Sequence, residues 1–380
     1  MHVEAVFAAP VLERAAFYSP TPILALTCDN RIADFNLAAE VFFRPRINSY
    51  RTRSVAKLLN EFDSMLPVCL LSNNACSANG QQAAVSAFVT DTLTETVSIV
   101  LPDYGEGELR CWVADFLHPE NGKQWYRVLY AEVVGLRDRD RFVTDLAAQW
   151  RHQLTWESYA ISYDRILLRM DYYQEVLSRH FEALSKSSVR CVIDLGAGTG
   201  NLAGMLLEGS QRRVTVVDSS RAMLERLRAK LSEYTGGRLM VMEQSAESLD
   251  QLDSMSFDGV SILLALFDVY RPVAALNEAI RLLRPGGVLV VTEPKYCFRK
   301  EPILEYVEKS LKDAGVFAEL EEDFKRVSSA NNRIDPESRE SHSPLRAEDI
   351  YRILSDKGFE SLTITDSHFG NCATVYGIKT

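Results

Sequence analysis

Between residues 189 and 295, short apolar runs alternate with segments of helical periodicity. Runs of this length, such as 192–195 and 214–217, are typical of buried strands in a parallel sheet. Strands that alternate with helices predict a parallel sheet with helices on both faces. Ligands bind such sheets at the carboxyl ends of the strands, near the point where the strand order reverses. This half of the chain is therefore predicted to be an α/β domain with a site at that edge.

Beyond this region the pattern changes. A helix is predicted over 303–313, and another over 347–357 ends at a glycine. Between them, 325–346 is polar and rich in turn residues, which predicts a long loop or lid above the site. The runs 361–366 and 373–378 predict an antiparallel pair of strands that closes the sheet.

The first part of the chain is organised differently, with two short strands, several helices and then three longer strands. The predicted strands are 23–26, 32–35, 96–101, 109–117 and 124–134, and the predicted helices are 36–43 and 53–72. Turn residues at 29–30 join the first two strands, and turn residues at 119–122 join the last two. This order predicts an α+β domain.

Two helical stretches connect the two parts. In 138–154, apolar residues recur every four positions, which predicts one apolar stripe. That stripe either pairs with its twin across a dimer axis or packs against its own chain. The stretch 156–184 is predicted to be a helix rich in aromatic residues.

A glycine-rich segment follows the strand at 192–195. Gly196, Gly198 and Gly200 make a turn that side chains would block, so a ligand can lie against bare backbone. Asp218 ends the next strand, where an acid accepts hydrogen bonds from ribose hydroxyls in nucleotide-binding βαβ units. Asp194 stands just before the glycines, and its charge would repel a pyrophosphate and attract a cation.

This segment resembles class I S-adenosylmethionine-dependent methyltransferases, whose ligand carries a sulfonium, an ammonium and no phosphate. The segments 244–249, 257–266 and 281–291 resemble the adenine loop, the fourth strand and the turn into the fifth strand of that family. The resemblance covers roughly 155–380. It implies a Rossmann-like, mostly parallel sheet with a C-terminal antiparallel pair.

The resemblance also implies which residues hold S-adenosylmethionine. Asp194 would hold the amino-acid part and Asp218 both ribose hydroxyls, while Ser245 replaces the usual aspartate of the adenine loop. A segment like 159–164 lies over the cofactor as a lid in small-molecule methyltransferases; alternatively, its rings cap the domain core. The implied cofactor residues are Tyr163, Asp194, Gly196, Ala197, Gly198, Gly200, Asp218, Ser219, Met223, Ser245, Ala246 and Leu263.

Methyl transfer from a sulfonium needs alignment and exclusion of water, and a base only when the acceptor is protonated. Three candidates for such a base, or for acceptor contacts, are Asp268, Glu293 and His342. Asp268 is alternatively a solvated loop acid, and His342 an ordinary loop histidine. No metal site is predicted.

The segments 18–26 and 31–40 resemble the opening of PAS sensor domains. PAS domains bind flavin, haem or small metabolites, or serve only for dimerisation, and nothing in this sequence selects a prosthetic group. The expected organisation is a PAS-like domain over 1–136, a linker helix over 137–155 and a methyltransferase domain over 156–380. The first domain is expected to make the protein a homodimer or to regulate it.

The composition limits the classes of partner that this protein is expected to bind. A formal net charge of -10 disfavours nucleic acid and acidic membranes, which bind basic surfaces. Seven scattered cysteines without Cys-x-x-Cys spacing, and no signal segment, indicate a soluble, cytoplasmic protein. The leading hypothesis is a methyltransferase that acts on an oxygen or nitrogen of a small organic molecule. The alternatives are a sensor that binds the cofactor without turnover and a macromolecule methyltransferase.

Overall fold

The computed structural model describes residues 19–26, 31–43, 95–101, 103–117, 125–333 and 344–380. The chain divides into two compact units, Met1–Arg151 and His152–Thr380. The division falls inside the segment predicted to link two domains, at 137–155.

In the first unit, the five described strands form one antiparallel sheet with the order β2-β1-β5-β4-β3. The strands are β1 Ile23–Leu26, β2 Ile32–Phe35, β3 Glu95–Leu101, β4 Gly105–Leu117 and β5 Trp125–Leu136. Helix α1, Leu37–Phe42, begins at Asn36, whose buried side chain accepts the Ala39 N–H. The predicted order of strands and helix is confirmed over these residues, whereas 53–72, 29–30 and 119–122 lie outside the described residues.

The next helix, α2, runs over Arg139–Leu167 without a break, so the predicted linker helix continues for thirteen residues beyond 154. Phe142 and Leu146 are buried in the core of the first unit, which matches packing against the same chain. Helix α3 is Asp171–Leu184. The single helix predicted over 156–184 is therefore wrong, because the chain takes an extended conformation at Met170 and buries its side chain.

The second unit has a seven-stranded sheet with the order β11-β12-β10-β9-β6-β7-β8. Strands β6 to β10 are parallel to one another, and β12 pairs antiparallel with both β10 and β11. The strands are β6 Cys191–Leu195, β7 Arg213–Asp218, β8 Leu239–Glu243, β9 Phe257–Leu263, β10 Leu283–Pro294, β11 Glu360–Ser367 and β12 Cys372–Ile378. The predicted parallel sheet with a closing antiparallel pair is confirmed.

Helices cover both faces of this sheet, and a separate apolar core fills the space on each side. Val192 packs in one core, and Ile193 and Leu195 pack in the other, as alternation along a strand requires. The helices are α4 Asn201–Leu207, α5 Arg221–Lys230, α6 Pro272–Leu282, α7 Glu301–Asp313, α8 Phe317–Arg333 and α9 Ala347–Asp356. Among the described residues, no helix is long and apolar enough to cross a membrane.

The loop or lid predicted over 325–346 is wrong for its first nine residues, which belong to α8. Few positions of α8 are buried, so its apolar stripe at helical spacing is short. The surrounding polar residues therefore predicted a loop. The buried residues are Leu320, Asp323, Val327 and Ala330. Asp323 is neutralised by Arg165 at 2.6 Å, so a carboxylate can occupy that stripe. Residues 334–343 lie outside the described residues.

Candidate active site

The glycine-rich turn lies between β6 and α4, and all three of its glycines have positive φ angles. The φ angles are +74° at Gly196, +55° at Gly198 and +76° at Gly200. A Cβ atom on Gly200 would lie 2.7 Å from the Leu227 side chain, so this glycine allows close packing. A Cβ on Gly198 would meet no atom within 4 Å. The backbone at Gly198 is therefore open to a ligand.

Asp218 lies at the end of β7, beside this turn. Its Oδ2 accepts the N–H of Gly198 and its Oδ1 accepts the N–H of Ser220, both at 2.8 Å. Burial raises the pKa of Asp218 to about 6, and these two N–H groups oppose that rise because they favour the charged form. The side chain is half-buried, so the remaining lone pairs are open to donors such as hydroxyl groups.

Asp194 lies deeper, on β6, and is 3% exposed. Burial raises its pKa to about 7, a hydrogen bond with Ser261 lowers it, and the nearby charge of Asp218 raises it further. Ser261 is the register partner of Asp194 on β9. The Ser261 hydroxyl also lies 3.1 Å from Nδ1 of the buried His180, whose Nε2 lies 2.8 Å from the Thr292 hydroxyl. A hydrogen-bonded network therefore supports Asp194 from below.

These two carboxylates fit a cationic ligand. Among the described residues, neither Asp194 nor Asp218 forms an ion pair with a lysine, arginine or histidine. Two close acids with pKa values raised by burial gain from a positive charge placed between them. A pyrophosphate would be repelled. A sulfonium compound with an ammonium group and a ribose fits both the charges and the open backbone at Gly198.

The strand order places the other implied cofactor residues at the same edge, because β9, β6, β7 and β8 are neighbours. The backbone N–H of Gln244 donates to the Asp218 carbonyl at 3.0 Å, which ties the end of β8 to the end of β7. Ser219 is exposed, Met223 is buried, and Ala197, Ser245, Ala246 and Leu263 are half-buried. The Ser245 hydroxyl accepts the Glu247 N–H at 3.3 Å.

Helix α2 is anchored to the glycine-rich turn by Asp164. One carboxylate oxygen accepts the Thr199 hydroxyl at 2.6 Å and the Asn201 amide at 3.0 Å, and the other meets the Lys230 ammonium at 2.8 Å. Sequence reasoning placed 159–164 over the cofactor but did not single out Asp164. A carboxylate three positions before the end of a helix carries no motif of its own.

An aromatic run follows α2 and crosses to α3. The ring centroids are 5.5 Å apart for Trp156 and Tyr159, 5.1 Å for Tyr159 and Tyr163, and 6.0 Å for Tyr163 and Tyr173. The Tyr173 hydroxyl accepts a hydrogen bond from Asn201 at 3.2 Å, so the run ends at the glycine-rich turn. Burial raises the pKa of Tyr163 well above its ordinary value, and it stays neutral.

Glu293, a candidate for acceptor contact, is fully buried at the end of β10. Its carboxylate accepts the N–H groups of Ala265, Leu266 and Phe267 at 2.7–3.0 Å. Burial raises the pKa of Glu293 to about 8 against the effect of these three donors. Its bonds hold the turn that follows β9, where Leu264 has a φ of +51°. Glu293 therefore stabilises the conformation of that turn.

Asp268, another candidate, ends the same turn and is 10% exposed, which is not the solvated position considered as its alternative. Its Oδ2 lies 2.5 Å from Nε2 of His152 and accepts the Trp156 indole N–H at 2.7 Å. Sequence reasoning missed His152 because 116 positions separate it from Asp268. The third candidate, His342, lies outside the described residues.

Comparison with known proteins agrees with this geometry. A family model described as a methyltransferase domain matches residues 192–287. The ubiquinone/menaquinone biosynthesis C-methyltransferase UbiE of Yersinia enterocolitica is 33% identical over 193 residues, covering 50% of this chain and 73% of UbiE. UbiE of Shewanella piezotolerans is 27% identical over 194 residues, with the same coverage of both chains.

Two solved structures are also similar. A SAM-dependent methyltransferase from Aquifex aeolicus has a TM-score of 0.38 at 17% identity, covering 57% of this chain and 93% of that one. A possible histamine N-methyltransferase from Thermotoga maritima has a TM-score of 0.39 at 19% identity, covering 60% of this chain and 100% of that one. Given the extent of the match to UbiE, with 33% identity over 73% of its length, this chain belongs to the family of S-adenosylmethionine-dependent methyltransferases.

Proposed function

We propose that this enzyme methylates a carbon atom of a small organic acceptor. Two carboxylates, the buried Asp194 and the half-buried Asp218, carry the proposal for the cofactor, because they have no basic ion-pair partner in the described part of the chain and lie beside the open backbone at Gly198. Carbon is chosen over the oxygen or nitrogen expected from sequence, because the UbiE relatives are named as C-methyltransferases.

The residues present would hold S-adenosylmethionine by complementary charge and shape. Asp218 would accept hydrogen bonds from the ribose hydroxyls, and Asp194 would bind the positively charged amino-acid part. The bound cofactor supplies an activated methyl group. The Tyr163 hydroxyl lies 3.4 Å from the Tyr173 hydroxyl, which is bonded to Asn201 at the glycine-rich turn, and a ring that faces a cation contributes roughly 0.5–2 kcal/mol. Alignment of the acceptor carbon supplies most of the remaining rate enhancement.

A small acceptor is favoured over a macromolecule. Helix α2 is tied to the glycine-rich turn by the bonds of Asp164, and a helix fixed beside the cofactor residues favours a small acceptor over a long polymer. The net charge of -10 also disfavours nucleic acid.

The first unit is proposed to be a PAS-like domain that dimerises the enzyme or regulates it. Its described elements support this, because two strands and a helix precede three strands of one antiparallel sheet. We also place the enzyme in the cytoplasm, since Cys191, Cys297 and Cys372 are free thiols. Sedimentation of the full chain tests the homodimer: a monomer at micromolar concentration contradicts it.

Transfer of an isotope-labelled methyl group from S-adenosylmethionine into cell extract tests the activity. We expect labelled small molecules after the extract has been treated with nuclease and protease. Label that disappears after this treatment identifies a macromolecule methyltransferase instead. Tight cofactor binding with no labelled product in any fraction contradicts turnover and favours a cofactor-binding sensor.

A further inference from the structure

A series of buried polar side chains crosses the sheet of the second unit and ends at Asp194. Ser261 on β9 is the register partner of Asp194 on β6. On two further strands, β10 and β12, Thr292 and Thr374 are register partners, with their hydroxyls 2.8 Å apart. His180 on α3 joins the two pairs, because its Nδ1 lies 3.1 Å from the Ser261 hydroxyl and its Nε2 lies 2.8 Å from the Thr292 hydroxyl. One series of hydrogen bonds thus links four strands and a helix.

Every member of this series is shielded from solvent. His180, Ser261 and Thr292 are fully buried, and Thr374 is nearly so. Burial lowers the pKa of His180 to about 3, so its imidazole is neutral at physiological pH. A neutral imidazole has one N–H and one bare nitrogen, which makes one of its two hydrogen bonds a donation and the other an acceptance.

The carboxylate at the end of the series sets the direction of each bond. An ionised Asp194 only accepts, so the single proton of the Ser261 hydroxyl is donated to it. Ser261 then accepts from His180, which places the imidazole proton on Nδ1. The bare Nε2 accepts the Thr292 hydroxyl, and Thr292 accepts from Thr374 in turn. All of these donors therefore point toward Asp194.

Asp194 gains from this arrangement because its charge is both buried and repelled. Burial raises its pKa to about 7 and the charge of Asp218 raises it further, whereas the Ser261 bond acts in the opposite direction. The remaining titratable neighbour is Tyr173, which stays neutral because burial raises its pKa to about 12. The Nδ1–H of His180 keeps the Ser261 proton on Asp194, since a hydroxyl turned toward His180 would set one proton against another.

We propose that His180 is a positioning residue for the cofactor: it holds the Ser261 hydroxyl on Asp194, so that Asp194 is ionised when S-adenosylmethionine binds. The inference rests on the proposed role of Asp194 in binding the positively charged amino-acid part. His180 is fully buried and acts through Ser261. Thr292 contributes by donating to Nε2, which favours the tautomer with its proton on Nδ1.

The tautomer of His180 tests the inference with the residue itself unchanged. In the ¹⁵N spectrum of the full chain saturated with S-adenosylhomocysteine at pH 8, the imidazole signals that shift in Ser261→Ala identify His180, whose ring bonds that hydroxyl. We expect a proton on Nδ1 and a bare Nε2. A proton on Nε2 instead would mean that Ser261 donates to His180 and not to Asp194, and it overturns the inference.

A double-mutant cycle separates this role from ordinary packing. The amide in His180→Gln can accept from Thr292 at the place of Nε2, but it has no donor at the place of Nδ1. We expect His180→Gln and Ser261→Ala each to weaken S-adenosylhomocysteine binding about tenfold in calorimetry, near the lower end for one hydrogen bond to a charged group. The double variant should lose no more than Ser261→Ala alone, because His180 acts through that hydroxyl. Losses that multiply to about a hundredfold overturn the inference, and so does wild-type affinity in His180→Gln.

His180→Asn and Thr215→Val are the matched controls. The amide in His180→Asn can donate to Ser261 at the place of Nδ1, so affinity should stay within about threefold of wild type. Thr215→Val removes another buried hydroxyl of the same sheet, on β7, and should keep the wild-type affinity. Equal losses in His180→Asn and His180→Gln would assign the effect to a cavity and overturn the inference. Unchanged affinity in Asp194→Asn defeats the proposed role of Asp194 itself, whatever the His180 variants do.

Discussion

Two clusters with acidic residues lie at the carboxyl edge of the sheet, one formed by Asp194 and Asp218 and the other by Asp268, His152 and Trp156. They differ in whether a basic side chain is already bonded to the carboxylate. Asp194 and Asp218 lie close together without a basic partner among the described residues, whereas Asp268 is bonded to His152 and Trp156. The first pair is poorly compensated until a cation arrives, so its charges are available for binding. Asp268 already has hydrogen-bond partners in the protein, so its carboxylate stabilises the position of the His152 imidazole. In this site, Asp194 and Asp218 are thus available to bind a cation, whereas Asp268 holds the His152 side chain in position.

Removal of the Asp218 carboxylate should have the largest effect on binding. We expect Asp218→Ala to weaken S-adenosylhomocysteine binding by about 1.5–3 kcal/mol, the usual range for hydrogen bonds to a charged group. Asp268→Asn is the matched control, because it alters an acid that is already bonded within the protein. Calorimetry that finds equal losses in the two variants would erase the distinction between the clusters.

Acid should weaken cofactor binding by a somewhat smaller factor. The pKa values of Asp194 and Asp218, raised by burial to about 7 and about 6, mean that both gain protons as the pH falls from 8 to 6. Only the ionised forms attract a cation and accept ribose hydroxyls fully, so affinity should fall about tenfold over this range. Asp268 raises the pKa of Asp218 and His152 lowers it, so these two neighbours act in opposite directions.

The same experiment has a second readout. Calorimetry in two buffers of different ionisation enthalpy should show proton release on binding near pH 6–7. Asp218→Asn should flatten the pH dependence. Affinity that stays constant from pH 6 to 8 in the wild-type protein would show that the two carboxyls are already ionised, contrary to this account.

Gly198→Ala tests the open backbone. An alanine at a φ of +55° should lower the free energy of unfolding by about 1–2 kcal/mol. Gly209→Ala is a matched control, since Gly209 has a φ of +58° and equally open surroundings but follows α4, away from the site. Both variants should lose similar stability in denaturant titrations, while only Gly198→Ala loses cofactor affinity. Equal affinity in both would mean that no ligand lies against Gly198.

Trp156→Phe, which alters the cluster of Asp268, His152 and Trp156, should give the smallest change in stability. The ring can still stack on Tyr159, but Asp268 loses one of its donors. We expect the free energy of unfolding to fall by about 1 kcal/mol, with cofactor affinity unchanged. Urea titration and calorimetry measure the two quantities. A large loss of cofactor affinity would show that the two clusters are coupled.

The cofactor half of the site was predictable because it is local. Gly196 to Asp218 form one β-α-β unit, where spacing along the chain sets spacing in space. The His152–Asp268 pair could not be found in this way. Its partners are joined only after α2 folds onto the end of β9, and neither lies in a motif.

The same reasoning explains the errors in the fold. Alternating strands and helices predicted the sheet, because burial on both faces demands long apolar runs. The second half of α8, 325–333, was predicted as loop because only two of its residues, Val327 and Ala330, are buried, which leaves a weak apolar pattern in a polar sequence. Glu293 was predicted to contact the acceptor, and its place at a strand end did not reveal that its carboxylate accepts three backbone N–H groups of the turn after β9.

Glu293 sets a constraint on any redesign of acceptor scope. Its three amide bonds shape residues 265–267, and the next residue in the chain is Asp268. Mutant libraries that vary this turn for new acceptors should therefore keep a glutamate at 293. Without it, the turn loses three hydrogen bonds, and Asp268 and its partner His152 would shift as well. A change in acceptor selectivity could then come from that shift rather than from the varied residues.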